Sequence, residues 1–341
     1  MYGAHRVARM ANAKEMAMRA NTIRLLAASA FVVALAGGSG AASASFPGRN
    51  GTLAFDAIDG STGTVQIFQV SPTGSGLKQL TTTTGKVWNE DPTYASSGQR
   101  IFFDSLDRAT TRPSRIFRMN ANGSGRQRVD RPSAPGHVWV SVNRSGSSLA
   151  MVQFGRSGQA VIATMNANGS NLRVIASGTS LQSYGVPDYA PNNGRIAFER
   201  VTFHRNGQGI AKADLFVRNN GRNTNITARR PANFFGPSWA PSGQKLVALR
   251  GQRTLVSMNP NGTDLRVLTT VSGPETSIVD AVYSPDGKKI AYLQCVGDCG
   301  DPDLRGVGSI WVMNANGSGK HRVLRGTPAV RPAERLSWRR T

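Results

Sequence analysis

The seven residues MNANGSG stand at 119–125 and again at 313–319, with near copies MNANGSN at 165–171 and MNPNGTD at 258–264. Asn-Gly is a strong signal for a tight hairpin turn. A type I′ turn needs positive φ at both central residues, which glycine adopts freely and asparagine tolerates. Each copy follows an apolar run (SRIFRM, AVIATM, RTLVSM, SIWVM) and precedes a short basic-apolar one (RQRV, LRVI, LRVL, KHRVL). The phrase therefore predicts strand, turn, strand. Weaker copies, VSPTGSGLKQL at 70–80 and VRNNGRNTNIT at 217–227, bring the turn glycines to six: Gly74, Gly123, Gly169, Gly221, Gly262 and Gly317. Their spacing of 41 to 55 residues marks a repeat architecture.

A second phrase keeps the same period: YASSGQRIFF (94–103), VNRSGSSLAM (142–151), YAPNNGRIAF (189–198), WAPSGQKLVAL (239–249) and YSPDGKKIAYL (283–293). Each repeat then holds four strands, the content of one propeller blade. The second phrase occurs five times and the first six times, and the missing copy is divided between the ends. PGRNGTLAF (47–55) has the turn and following strand, while RLSW (335–338) has the aromatic. A ring explains this division, because a shared blade closes the circle and hides sheet edges. The expected fold is all-β, a six-bladed propeller in which the C-terminal strand completes the first blade. Nearly continuous apolar runs such as KLVAL suit strands covered on both faces, and no amphipathic helix is evident after residue 45.

The N-terminus reads as a secretory signal. Basic residues run to Arg24, LLAASAFVVALAGG occupies 25–38, and a small-residue site ends at Ala44. Residues 1–44 are thus expected to be removed, leaving 45–341 as one propeller domain in a periplasmic or extracellular compartment, with no membrane span and as a monomer. That mature part carries a net charge of +18. Such charge favours acidic partners, but the basic residues are scattered, no nucleic-acid motif appears, and charge spread evenly over exposed strands accounts for them better. The two cysteines, Cys295 and Cys299, are expected to pair in an oxidising compartment.

YSPDGKKIAYL with SIWVMNANGSGKHRVL, and WAPSGQKLVAL with TLVSMNPNGTDLRVLT, resemble the repeats of the TolB-type, WD40-like β-propeller family of secreted bacterial proteins. The resemblance covers about 46–341 and implies the propeller alone. TolB itself carries an extra α/β domain before its ring, whereas here SFPGRNGTLAF enters the first blade directly after the expected signal. The same repeats also precede the hydrolase domain of prolyl-oligopeptidase-like peptidases, but no G-x-S-x-G occurs in this sequence.

Catalytic signatures are missing from the sequence. His137, His204 and His321 fall in different repeats, and neither H-E-x-x-H nor a P-loop is present. No cofactor or metal is expected. Asp298, Asp301 and Asp303 form an oxygen-rich loop without a full calcium-loop pattern. Asn122, Asn168, Asn261 and Asn316 match glycosylation sequons, which turn geometry explains as well.

Function is expected where the blades differ. Trp88, His137, Tyr184, Phe234 and Phe235 precede each blade's aromatic by four to six residues, and Arg108, Arg112 and Arg205 lie in loops on the same face. Together they make a candidate mouth for a protein, peptide or acidic envelope polymer, with packing between blades as the competing role. The expected function is a secreted, non-catalytic binding scaffold. A polysaccharide lyase or hydrolase, or a purely structural envelope component, stays open beside it.

Overall fold

The computed structural model describes residues 46–341, apart from 84, 111, 132–134, 155–158, 193, 207–208 and 300–305. The expected signal, residues 1–44, lies outside the described residues. Strands are the only regular elements among the described residues, and they form six antiparallel four-stranded sheets.

Blade 2 shows the pattern: Val87–Tyr94, Arg100–Asp107, Arg115–Asn120 and Gln127–Arg128 pair in sequence order. The first strands of blades 3 to 6 are His137–Val142, Gln182–Tyr189, Phe234–Trp239 and Thr276–Tyr283. In blade 1 that place is taken by the last strand of the chain, Val330–Arg340, which pairs with Asn50–Asp59. The register sets Leu53 opposite Trp338 and Phe55 opposite Leu336, and Trp338 Nε1 donates to the Gly51 carbonyl at 3.1 Å. First strands of adjacent blades touch one another in an unbroken circle, so they are the inner strands around the ring axis. The divided repeat closes the ring as the sequence predicts.

The core lies between blades. Leu53 and Phe55 of blade 1 pack with Val282, Leu293 and Val312 of blade 6, and Phe102 and Ile116 of blade 2 pack with Val142, Leu149 and Met165 of blade 3. Each such side chain contributes roughly 1.5–3 kcal/mol by leaving water. Burial on both sheet faces is why the strands read as apolar runs.

The repeated phrase has a different turn from the one expected. In blade 2 the Gly123 N–H bonds the Asn120 carbonyl at 2.9 Å, and only Gly123 (φ 94°) and Gly125 (φ 66°) have positive φ, whereas Asn122 does not. Asn122 works through its side chain, accepting from the Ser124 N–H at 3.0 Å and from its hydroxyl at 2.8 Å. Asn168, Asn261 and Asn316 do the same. The two-residue turn with both φ positive occurs in blade 4, at Asn220 (46°) and Gly221 (83°), closed by the pair Asn219–Arg222.

The longer turn reaches the neighbouring blade. An added Cβ on Gly123 would lie 2.6 Å from the Leu80 carbonyl oxygen of blade 1. Gly74, Gly169, Gly262 and Gly317 likewise abut carbonyls of Val323, Val129, Ile226 and Leu268, each in the preceding blade. Gly221 abuts nothing within 4 Å. At that junction Arg218 Nη1 and Asn223 Nδ2 donate to the Ile175 carbonyl instead, at 3.2 and 3.1 Å.

Candidate functional site

The inner strands bulge in mid-course, between Glu90 and Thr93, Val138 and Ser141, Gly185 and Asp188, and Phe235 and Ser238. Each bulge holds one residue at positive φ: Asp91 (56°), Trp139 (60°), Val186 (55°) and Gly236 (54°). A bulge frees backbone N–H groups from the ladder, and buried donors need acceptors. Carboxylates on the second strand of the preceding blade supply them in three cases. Asp56 Oδ2 accepts from the Asp91 N–H at 3.2 Å, Asp104 Oδ1 from Trp139 at 3.3 Å, and Glu199 Oε2 from Gly236 at 2.9 Å. Asp56 Oδ1 also accepts from Glu334 and Arg335 within its own blade, at 2.9 and 2.8 Å. Further clamps run from Ser337 to the Tyr94 N–H, from Ser141 to Tyr189, from Asp188 to Trp239 and from Asp280 to Leu336.

These clamps gather acids on one side of the axis. Asp56 of blade 1, Asp91 and Asp104 of blade 2 and Asp280 of blade 6 are buried, while Glu90 and Glu334 are half-buried on adjacent inner strands. One oxygen each from Glu90, Asp91 and Asp104 lies within 4.8 Å of the others. Arg335 enters from the closing strand with 1% of its surface exposed, its Nε 2.5 Å from Asp91 Oδ1 and its guanidinium 5.1 Å from the Trp139 ring. Crowding moves the acids upward. Burial, then the Asp91 charge, raises Asp56 to about 6. Burial raises Asp280 to about 7 against the pull of Arg335. Burial, then Asp56 and Asp91, raises Glu334 to about 8. Glu90 and Asp104 are pushed well above the ordinary carboxyl range, by burial first and neighbouring acids second.

The residues expected at the mouth divide. Trp88 is half-buried on the inner strand of blade 2, two residues before Glu90, with the exposed Arg108 guanidinium 3.9 Å above its ring. Arg112 and Arg205 are exposed in their loops. The other four are interior. Phe234 lies in a buried cluster with Ala197 and Leu215 of blade 4, and Phe235 in another that joins Val201 and Ala213 of blade 4 to Ile278 and Tyr292 of blade 6. Tyr184 lies 6.0 Å from the Phe198 ring and donates to the Ser177 carbonyl at 3.2 Å. His137 is fully buried, its Nδ1 3.6 Å from Asp130. An inner strand turns alternate residues toward the preceding and following blades. Offsets of four, five and six residues therefore mix two faces, both of them packing surfaces.

Cys295 and Cys299 form a disulfide at the end of the second strand of blade 6. Asp298 is exposed beside it, while Asp301 and Asp303 lie outside the described residues. The three histidines do not converge: His204 is exposed in a blade 4 loop and His321 on the outer strand of blade 6.

The signal that marks the clamps is present in the sequence. Three of six second strands carry an acid in mid-strand directly after an apolar run, as LAFD (53–56), IFFD (101–104) and IAFE (196–199). Glu90, Asp91, Glu334 and Arg335 carry no local signal, because residues about 240 positions apart become neighbours only when the ring closes.

Fold and site together define a six-bladed β-propeller with an acidic cluster at its axis. No family model matches the chain. Tol-Pal system protein TolB of Anaeromyxobacter dehalogenans is 27% identical over 212 residues, covering 56% of this chain and 44% of that protein. Dipeptidyl-peptidase 5 of Porphyromonas endodontalis is 31% identical over 109 residues, covering 30% of this chain and 15% of that protein. The matched segments thus span less than half of either relative. Among solved structures, TolB from Acinetobacter baumannii superposes with a TM-score of 0.64 at 15% identity, over 85% of this chain and 67% of that one. A chain of the nidogen/laminin complex gives 0.63 at 12% identity, over 85% and 98%. The chain is a six-bladed propeller similar to TolB in repeat and ring. No helix among the described residues is long and apolar enough to cross a membrane.

Proposed function

We propose that this chain is an exported, non-catalytic scaffold that binds a protein or peptide at the axial mouth on the face carrying Trp88 and Arg108. The observation that carries the reading is the half-open Trp88, stacked under Arg108 and two residues from Glu90. Most other large aromatics of the inner strands are sealed between blades, so this ring is left with surface to offer. Aromatic and arginine anchors beside charged groups are the usual centre of a protein-binding surface. Exposed Arg108, Arg112 and Arg205 give the mouth a basic margin that favours an acidic partner. The Tol-Pal and nidogen/laminin names of similar proteins agree with partner binding in general. Export is supported by the disulfide and by the signal-like N-terminus.

The test is affinity capture from envelope extract with the wild-type chain and with a Trp88→Ala/Arg108→Ala variant side by side. A partner held by the first and lost by the folded second supports the mouth. A partner retained equally by both places binding elsewhere. Polysaccharide cleavage is the second reading, because a carboxyl such as Glu334, protonated up to about pH 8, has the property required of a general acid. Turnover of an envelope polysaccharide that Glu334→Gln abolishes would favour it.

A further inference from the structure

We propose that Asn220, in the outer hairpin of blade 4, is a site of spontaneous deamidation, and that the fold closes the same chemistry at the four sister turns. The inference is independent of any partner at the mouth.

The reaction needs only water. The backbone nitrogen of the residue after an asparagine gives up its proton and attacks the side-chain carbonyl carbon, Cγ. A C–N bond forms, the Cγ–Nδ2 bond breaks, and Nδ2 leaves as ammonia. Water then opens the cyclic imide at either carbonyl. One opening gives aspartate in an ordinary main chain, the other an isoaspartate whose main chain runs through the side chain. Nothing is oxidised or reduced. A following glycine eases the attack, because it has no Cβ in the way. Asn122, Asn168, Asn220, Asn261 and Asn316 are all followed by glycine, so the bare peptides are close in reactivity. Differences among them must come from the fold.

Four of the five are held at three points. The nucleophile is bonded: Gly123 N–H donates to the Asn120 carbonyl at 2.9 Å, Gly169 to Asn166 at 2.8 Å, Gly262 to Asn259 at 2.9 Å and Gly317 to Asn314 at 2.8 Å. The electrophile is fixed, because Ser124, Ser170, Thr263 and Ser318 each donate an N–H and a hydroxyl to the asparagine Oδ1. The backbone is braced, because each glycine lies against a carbonyl of the preceding blade. A donor on Oδ1 also polarises the side-chain carbonyl, which alone would favour attack. That gain is idle while the nucleophile is bonded and the turn cannot rotate. Asn50 is held as well, its Oδ1 accepting from the Asp286 N–H at 3.1 Å. Asn193–Gly194 and Asn206–Gly207 each include a residue outside the described ones.

Asn220 lacks all three restraints. Among the described residues none accepts from the Gly221 N–H and none bonds the Asn220 side chain. Both residues are exposed, and an added Cβ on Gly221 would meet nothing within 4 Å. The turn therefore has room to rotate into the attacking geometry. Arg218 Nη1, bonded to the Gly221 carbonyl at 2.9 Å, brings a positive charge to the turn, which favours loss of the amide proton. The product disturbs its surroundings. Isoaspartate lengthens the main chain of a turn that the pair Asn219–Arg222 closes tightly. The Gly221 carbonyl then shifts from Arg218, whose Nη1 also holds the Ile175 carbonyl of blade 3 at 3.2 Å. Conversion loosens the junction of blades 3 and 4.

The experiment is peptide mapping by mass spectrometry after incubation of the folded chain in mildly alkaline, heavy-oxygen water, with a urea-unfolded sample beside it. The oxygen label marks each converted site. In the folded chain Asn220 should convert about tenfold or more faster than Asn122, Asn168, Asn261 or Asn316, since those four must first open locally. In urea the five rates should agree within a factor of about three, because the restraints are gone. Asn220→Gly suits the same tight turn, and its melting temperature should drift less during incubation than that of wild type. Equal conversion of the five sites in the folded chain, or an Asn220 lead that persists unchanged in urea, would overturn the proposal. Equal drift in wild type and Asn220→Gly would overturn the effect on the blade 3–4 junction.

Discussion

The rim and the axis of this ring are built on opposite principles. At the rim five of six blades solve the same problem with the same words: a turn glycine lies against the carbonyl of the preceding blade. At the axis almost no two blades agree. Blade 2 brings Trp88, Glu90 and Asp91, blade 4 Tyr184 and Gly185, blade 5 Phe234 and Phe235. Repetition at the rim shows a packing constraint that each blade meets locally. Variation at the axis follows from inner strands that pack against different neighbours, and in blade 2 it leaves Trp88 half-open two residues from Glu90.

Cutting the ring should have the largest effect on both regions. Removing residues 330–341 deletes the inner strand of blade 1, exposes the Asn50–Asp59 edge and takes away Arg335. Aggregation or loss of a cooperative melt is expected by light scattering and calorimetry. A truncated chain that melts like the full one would refute closure.

Next is the rim itself. Gly123→Ala puts a methyl 2.6 Å from the Leu80 carbonyl as well as at φ 94°. Gly221→Ala meets only the φ cost, in open space. Denaturant titration should show a loss of about 2 kcal/mol or more for the first and about 1 kcal/mol for the second. Equal losses would mean that the glycine-carbonyl contact has no structural weight.

The sequence made the rim legible and the axis only in part. Turn glycines and the split RLSW copy announce blade number and closure, because hairpin chemistry is local. The two turn types were harder to separate. NANG and NNG both contain Asn-Gly, yet only blade 4 pairs its strands tightly enough for the two-residue form. At the axis, parity decides the outcome: Phe234 and Phe235 are neighbours in sequence and enter different buried clusters. The acid cluster joins Asp91 to Arg335 across the whole chain, so no window of sequence contains it.

A smaller effect is expected at the disulfide. It closes a loop between residues only four apart, and the entropy removed from the unfolded chain grows with loop length. Reduction should lower the melting temperature by about 2 °C or less. Global unfolding on reduction would show that the loop anchors blade 6.

The sharpest test separates acids that serve the ring from acids that serve a ligand. Folded carboxyls whose pKa is raised bind protons that the unfolded chain has already lost. Their contribution is therefore full below the ordinary range near 4 and disappears as pH rises through about 6 for Asp56, 7 for Asp280 and 8 for Glu334. The free protein should melt higher at pH 5 than at pH 8.5. Melting curves of wild type and Glu90→Gln/Glu334→Gln across that window decide the matter. The expected result is a double variant that melts about 3 °C or more above wild type at pH 8.5 and level with it at pH 5, because crowded acids burden the ring once they lose their protons. A double variant that melts below wild type at pH 8.5 would show that Glu90 and Glu334 hold the blades together, and would contradict a binding site at the axis.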